Sequence, residues 1–183
     1  MKEYLLLLPI IFIFHDMEEI VGFIWFFRRN PYLFERFPKV MKPYRGLTHE
    51  GFALAVYEEF IPFFGVSLLA YYFPGDILYG LWFGVFTALV GHFFIHIGHT
   101  IYIRKYIPCV ITSAICLPIS LVILIKCAKV MNWNTVTVLS IIAAIILINV
   151  NLSLCYRIIH SINAKIKKQE QVENCTIFDK IST

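Results

Sequence analysis

The sequence predicts an all-α, polytopic transmembrane bundle of about five spans, with the N-terminus outside and the C-terminus cytoplasmic. Three observations predict it. Apolar residues make up 59% of the 183 residues and charged ones 15%, against roughly a quarter charged in soluble domains. Apolar runs of about 20 residues, the length that crosses a hydrocarbon core of roughly 30 Å, recur along the chain. Lys and Arg crowd into alternate short loops, and such loops stay on the cytoplasmic side.

The first span runs from Tyr4 to Phe27. No small-residue cleavage site follows Lys2, and the apolar run continues past an acidic cluster, so this is a retained span rather than a signal peptide. Arg28, Arg29, Arg36, Lys39, Lys42 and Arg45 follow it, mixed with aromatic residues and broken by Pro31, Pro38 and Pro43. That mixture suits a segment lying at the lipid headgroups. The second span, Glu50 to Phe73, ends at Pro74-Gly75-Asp76. Pro and Gly stop one helix and Asp76 can cap the next, which makes the second and third spans antiparallel neighbours. The third span is Ile77 to Ile103, followed by Arg104 and Lys105; the fourth is Ile107 to Val130. The fifth, Thr135 to His160, is interrupted by Asn149 and Asn151.

Residues 1–163 thus form one transmembrane domain, and 164–183 a polar cytoplasmic tail without a motif. No internal repeat is visible. Cys109, Cys116, Cys127, Cys155 and Cys175 have no paired spacing and lie mostly inside spans, where free Cys acts as a small buried hydrophobe. The net charge of +4 sits in the cytoplasmic loops, so membrane lipids rather than nucleic acid are its expected partners.

Ionisable groups at membrane depth cost about 2.5–3.5 kcal/mol each on insertion scales, so they face inward and mark function. His15, Asp16, Glu18 and Glu19 stand near the middle of the first span, Glu58 and Glu59 near the middle of the second, and His92, His96 and His99 in the third. His15, Glu18 and Glu19 are spaced i, i+3, i+4, and His92, His96 and His99 i, i+4, i+7, so each set shares a helix face. Gly84, Gly91 and Gly98, at seven-residue intervals, would let a neighbouring helix approach the histidine helix closely. With spans alternating in direction and rising 1.5 Å per residue, the three groups fall in one layer on the cytoplasmic side of the midplane. His49, Glu50 and His99 lie nearer the cytoplasmic mouth.

No Lys or Arg lies within these three spans to neutralise five carboxylates. One or two divalent transition-metal ions would do so, with neutral imidazole as co-ligand. The N and O donors favour zinc, iron or manganese, and facing helices of a bundle supply such sets. The expected ligands are His15, Glu18, His92 and His96, with Glu58 or Glu59 bridging, since only one of that pair can point fully inward. Glu19 is then the candidate general base, and Asp16, His49, Glu50 and His99 stand behind the ligands. His160 is expected at the interface.

The string His15-Asp16-Met17-Glu18-Glu19, the further histidine in the third span and Tyr72-Phe73-Pro74-Gly75 resemble the hallmarks of the HXXEE-motif family of bacterial membrane proteins: H-x-x-E-E, another histidine and Y-x-P-G. Every defined letter is present, over roughly residues 10–100. The resemblance implies a small multi-pass protein and carries no function with it. A looser likeness to intramembrane prenyl-protein peptidases stops at the Glu-Glu pairs, because their E-E-x-x-x-R spacing is missing.

The function expected from these residues is a membrane-embedded, metal-dependent enzyme, a hydrolase or an oxidase or desaturase, acting on a lipid or other hydrophobic substrate. Two alternatives stay open: a transporter for protons or divalent cations with a midplane relay, and a non-catalytic accessory or immunity protein whose polar core only sets packing.

Overall fold

The computed structural model describes residues 1–181; the side chains of His160 and of residues 166–181 lie outside that description. Seven α-helices follow a short 3₁₀ turn: α1 (Leu7–Arg29), α2 (Leu33–Arg36), α3 (Pro38–Met41), α4 (His49–Tyr72), α5 (Asp76–Ile103), α6 (Val110–Ala128) and α7 (Thr135–Ile181). Among the described residues there is no strand.

α4, α5, α6 and the Thr135–Lys165 part of α7 are long and apolar enough to cross a membrane. α1 has the length, but three acids interrupt its apolar run. Its outward face is nevertheless continuously apolar: Ile10, Phe14, Met17, Val21 and Trp25 recur every three or four residues and are all exposed. The acids lie on other faces, and Asp16 and Glu19 are buried.

The five long helices alternate in direction. At one end Trp82 donates its indole N–H to Leu5 O at 2.9 Å, which satisfies a carbonyl just before α1 and a buried ring at once. Asp76 is at this end too, and here the expected cap is corrected. Gly75 holds the cap position of α5, while the Asp76 carboxylate accepts from Asn132 and Asn134 Nδ2 at 3.2 and 2.5 Å. The α4–α5 turn is thereby tied to the α6–α7 loop.

The opposite end gathers the basic loops. Lys105 donates to Asn30 Oδ1 at 2.5 Å and to Tyr32 OH at 3.0 Å, joining the α5–α6 loop to the α1–α4 connection. α2 and α3 fold beneath the bundle, burying Leu33 and Met41 against Phe23, Phe26, Phe27 and Ile107. Thr48 caps α4 by accepting from Gly51 N at 3.1 Å, and its hydroxyl donates to Asn163 Oδ1 at 2.6 Å. The segment left as a polar tail is continuous with α7, whose backbone is helical through Ile181.

α1 packs on α4 and α6, and α5 on α4, α6 and α7. The glycine expectation holds only in part. A Cβ on Gly84 would stand 2.6 Å from Ile141 O, and one on Gly80 2.8 Å from Thr137 O, so these two seat α7 on α5. Gly91 and Gly98 meet nothing within 4 Å, because α7 has moved away by that depth. His92 and His96 of α5 face Glu19 of α1 instead.

Candidate metal centre

α1 and α5 meet at a group of four side chains. His15, Glu19, His92 and His96 each present one donor atom, and these atoms lie within 4.8 Å of one another. The i, i+4 spacing in each helix puts both residues of a pair on one face a turn apart. Glu19 Oε1 sits among the imidazoles, 2.7 Å from His96 Nε2, 3.4 Å from His15 Nε2 and 3.6 Å from His92 Nε2. His92 and His96 bring their Nε2 atoms to 2.6 Å. Phe93 closes one side by packing against His15, ring centroids 4.8 Å apart.

Three of the four are closed off, His15, Glu19 and His96 being 0%, 5% and 4% exposed, while the His92 side chain is 35% exposed and lines the neighbouring cavity. Despite their closeness, His15 Nε2 and Glu19 Oε1 have no hydrogen-bond partner. His96 Nε2 lies within hydrogen-bond distance of both His92 and Glu19, whereas His15 Nε2 faces the group without such a partner. Buried polar atoms without partners are costly. A divalent ion held by bonds of about 2.0–2.2 Å separates tetrahedral ligand atoms by roughly 3.4 Å, close to the 3.4 and 3.6 Å that Glu19 keeps from His15 and His92. His96, at 2.7 Å from Glu19 and 2.6 Å from His92, would have to draw back to share the ion. Three imidazoles and a carboxylate suit zinc, iron or manganese.

The tautomer of His15 follows from its neighbours. Thr112 Oγ1 donates to Glu18 Oε2 at 2.7 Å, which uses its single proton. His15 Nδ1, 3.0 Å from the same oxygen, is then the donor, leaving the Nε2 lone pair turned toward the cluster. A hydrogen bond at the far nitrogen is how a metal-binding histidine is commonly oriented.

Glu18 therefore stands elsewhere than expected. Its carboxylate faces α6, accepting from Thr112 N at 2.9 Å and from Tyr106 OH at 2.8 Å. Thr112 lies in the first turn of α6, so Glu18 caps that helix from outside with an anion. Three residues of spacing carried Glu18 just far enough round α1 to miss α5. Thr112 and Tyr106 escape a sequence reading because a lone threonine and a loop tyrosine bear no signal.

Glu58 and Glu59 separate. Glu59 lines a cavity of ≈ 420 Å³ beside the four-residue group, together with Asp16, Glu19, His92 and His96. Glu58 turns to α7, where it accepts from Asn151 Nδ2 at 3.2 Å and from the Cys155 thiol at 2.9 Å. Asp16 is buried and its Oδ2 has no partner. His99 lies apart from the cluster, its Nδ1 buried and unpartnered, and His49 and Glu50 are exposed at the start of α4. Cys109, Cys116, Cys127 and Cys155 are free and buried.

The family model described as a protein of unknown function with HXXEE motif matches residues 6–123. No curated protein and no solved structure matches the chain. The matched segment reaches past the roughly 10–100 expected from the motifs and takes in Thr112 and most of α6.

Proposed function

From the premise that the chain belongs to the HXXEE family, whose function is unknown, we propose that it is an integral membrane, metal-dependent enzyme acting on a hydrophobic substrate. His15, Glu19, His92 and His96 would hold the ion. One observation carries this reading: four donor atoms within 4.8 Å of one another, two of them buried without a hydrogen-bond partner, in a region with no fixed cation.

The two glutamates of the motif depart from the roles expected for them. Glu19 supports a ligand role by its place among the imidazoles, and Glu18 positions His15 through Thr112. Glu59, across the cavity from α1, is then the group free to move a proton. When bound, the ion would polarise a substrate oxygen or lower the pKa of a bound water. α1 counts as the fifth span, its apolar face toward lipid, and the shared end of the basic loops supports a cytoplasmic C-terminus.

Elemental analysis of purified protein tests the metal. Wild type should carry it stoichiometrically, and His15→Ala and His92→Ala should lose it while Glu58→Gln keeps it. Metal-free, stably folded wild type would reduce the cluster to a packing core. Transport is tested by ion flux into liposomes, expected to be absent.

A further inference from the structure

α5 and α7 touch at their first turns and then part. The Gly80 and Gly84 contacts close the gap at one end, while Gly91, about two turns on, meets nothing within 4 Å. The cavity beside the metal group surfaces in that gap. Gly91, Ile95 and Asn149 line it and are exposed at its mouth. The surrounding outward faces of both helices are apolar, with Phe94, Ile142, Ile146 and Val150 exposed, so the mouth opens toward lipid. Asn149, the polar interruption in the last span, sits at this opening, and its side-chain amide donates to Ile145 O of its own helix.

Inside, the walls are apolar, supplied by residues such as Phe12, Val56, Phe63 and Leu89, and the polar groups gather in one region at Asp16, Glu19, Glu59 and His92. Asp16 is 4% exposed and its unpartnered Oδ2 lacks a donor. Charge narrows the occupant further. No Lys or Arg lines the cavity to pair with an anionic head group, while Asp16 and Glu59 offer it acceptor oxygens.

Resting on the metal reading above, we propose that this cavity takes the alkyl chain of a membrane-borne, single-chain amphiphile. It enters sideways between α5 and α7, and its hydroxyl or amine head donates hydrogen bonds to Asp16 and Glu59. A volume of ≈ 420 Å³ lies in the range of small-ligand pockets. A hydroxyl or amine head suits the acceptor oxygens of Asp16 and Glu59, whereas a carboxylate or phosphate head would be desolvated with no Lys or Arg beside it.

The test is equilibrium binding of radiolabelled hexadecanol, hexadecylamine and palmitate to the metal-loaded protein in detergent. The alcohol and the amine should bind saturably, and palmitate on the order of tenfold more weakly, a difference of about 1.4 kcal/mol. Gly91→Leu fills the mouth and should cut alcohol binding about as much with metal content unchanged. Gly98→Leu, equally open on the same helix face but away from the cavity, should bind as wild type does. Asp16→Asn puts an amide N–H donor in place of an acceptor oxygen and should raise palmitate relative to the alcohol. Palmitate binding as tightly as the alcohol overturns the head-group assignment. Undiminished binding in both Gly91→Leu and a second mouth variant, Ile95→Trp, overturns the portal. Protein without metal that still binds the alcohol, and loses it in Gly91→Leu, refutes the metal reading alone.

Discussion

Thr112 is the residue on which the orientation of His15 turns. Its hydroxyl has one proton, Glu18 takes it, and His15 must donate from Nδ1. Thr112→Val keeps the shape and the backbone N–H to Glu18 but frees the imidazole. Metal affinity should fall by roughly 10–100-fold with little change in fold, and Thr112→Ser should restore it; competition against a coloured chelator measures both. Tyr106 supports the same carboxylate from the other side. Partial burial, and then donation to Glu18, push its phenol up to about 12 from 10.0. A raised pKa means that its contribution is complete below about pH 10 and lost as pH rises through about 12. The metal affinity difference between wild type and Tyr106→Phe should therefore be flat from about pH 7 to 9; a difference that changes within that window contradicts the hydrogen bond.

At the scale of elements, glycine decides which helices touch. Gly22 brings α1 onto Pro108, where an added Cβ would lie 2.5 Å from the proline Cβ, and Gly84 seats α7 on α5. Gly22→Ala and Gly84→Ala should each destabilise the protein by about 1–3 kcal/mol, seen as a lower thermal midpoint in detergent. Gly65→Ala, with open space at its Cβ, should be neutral or mildly stabilising because alanine favours helix. Equal gains at all three positions would mean that helix propensity, not close approach, governs them. Periodicity showed that Gly84, Gly91 and Gly98 share a face; only the divergence of α7 shows that the first is a contact and the second an opening.

Across the whole molecule, the basic loops share one end, and the short turn at Pro74-Gly75 lies at the other with Lys2 over Tyr71. Single cysteines placed at Lys39 and at Gly75, in a chain whose own cysteines are replaced by alanine or serine, should react oppositely with a membrane-impermeant maleimide added to intact cells. Gly75 should label from outside and Lys39 only after lysis. The reverse pattern would invert the bundle and place the metal layer nearer the outer face.

Much of this was legible without coordinates. A long apolar run has few stable fates except a membrane helix, because every backbone polar group must be bonded within the segment once water is gone. Intramembrane acids and histidines at i, i+4 must likewise face inward, so His15, His92, His96 and the Glu18-Glu19 pair are candidates from spacing and cost alone. Spacing could not choose between Glu18 and Glu19, since both lie on the histidine side of α1 and differ by one residue's rotation. Nor could it separate Glu58 from Glu59. Those choices belong to the packing of α6 against α1 and of α7 against α4, contacts between residues far apart in the chain, and so do the Thr112 bond and the gap at Gly91. The chain's chemistry set which groups had to be buried; the arrangement of the helices decided which of them meet.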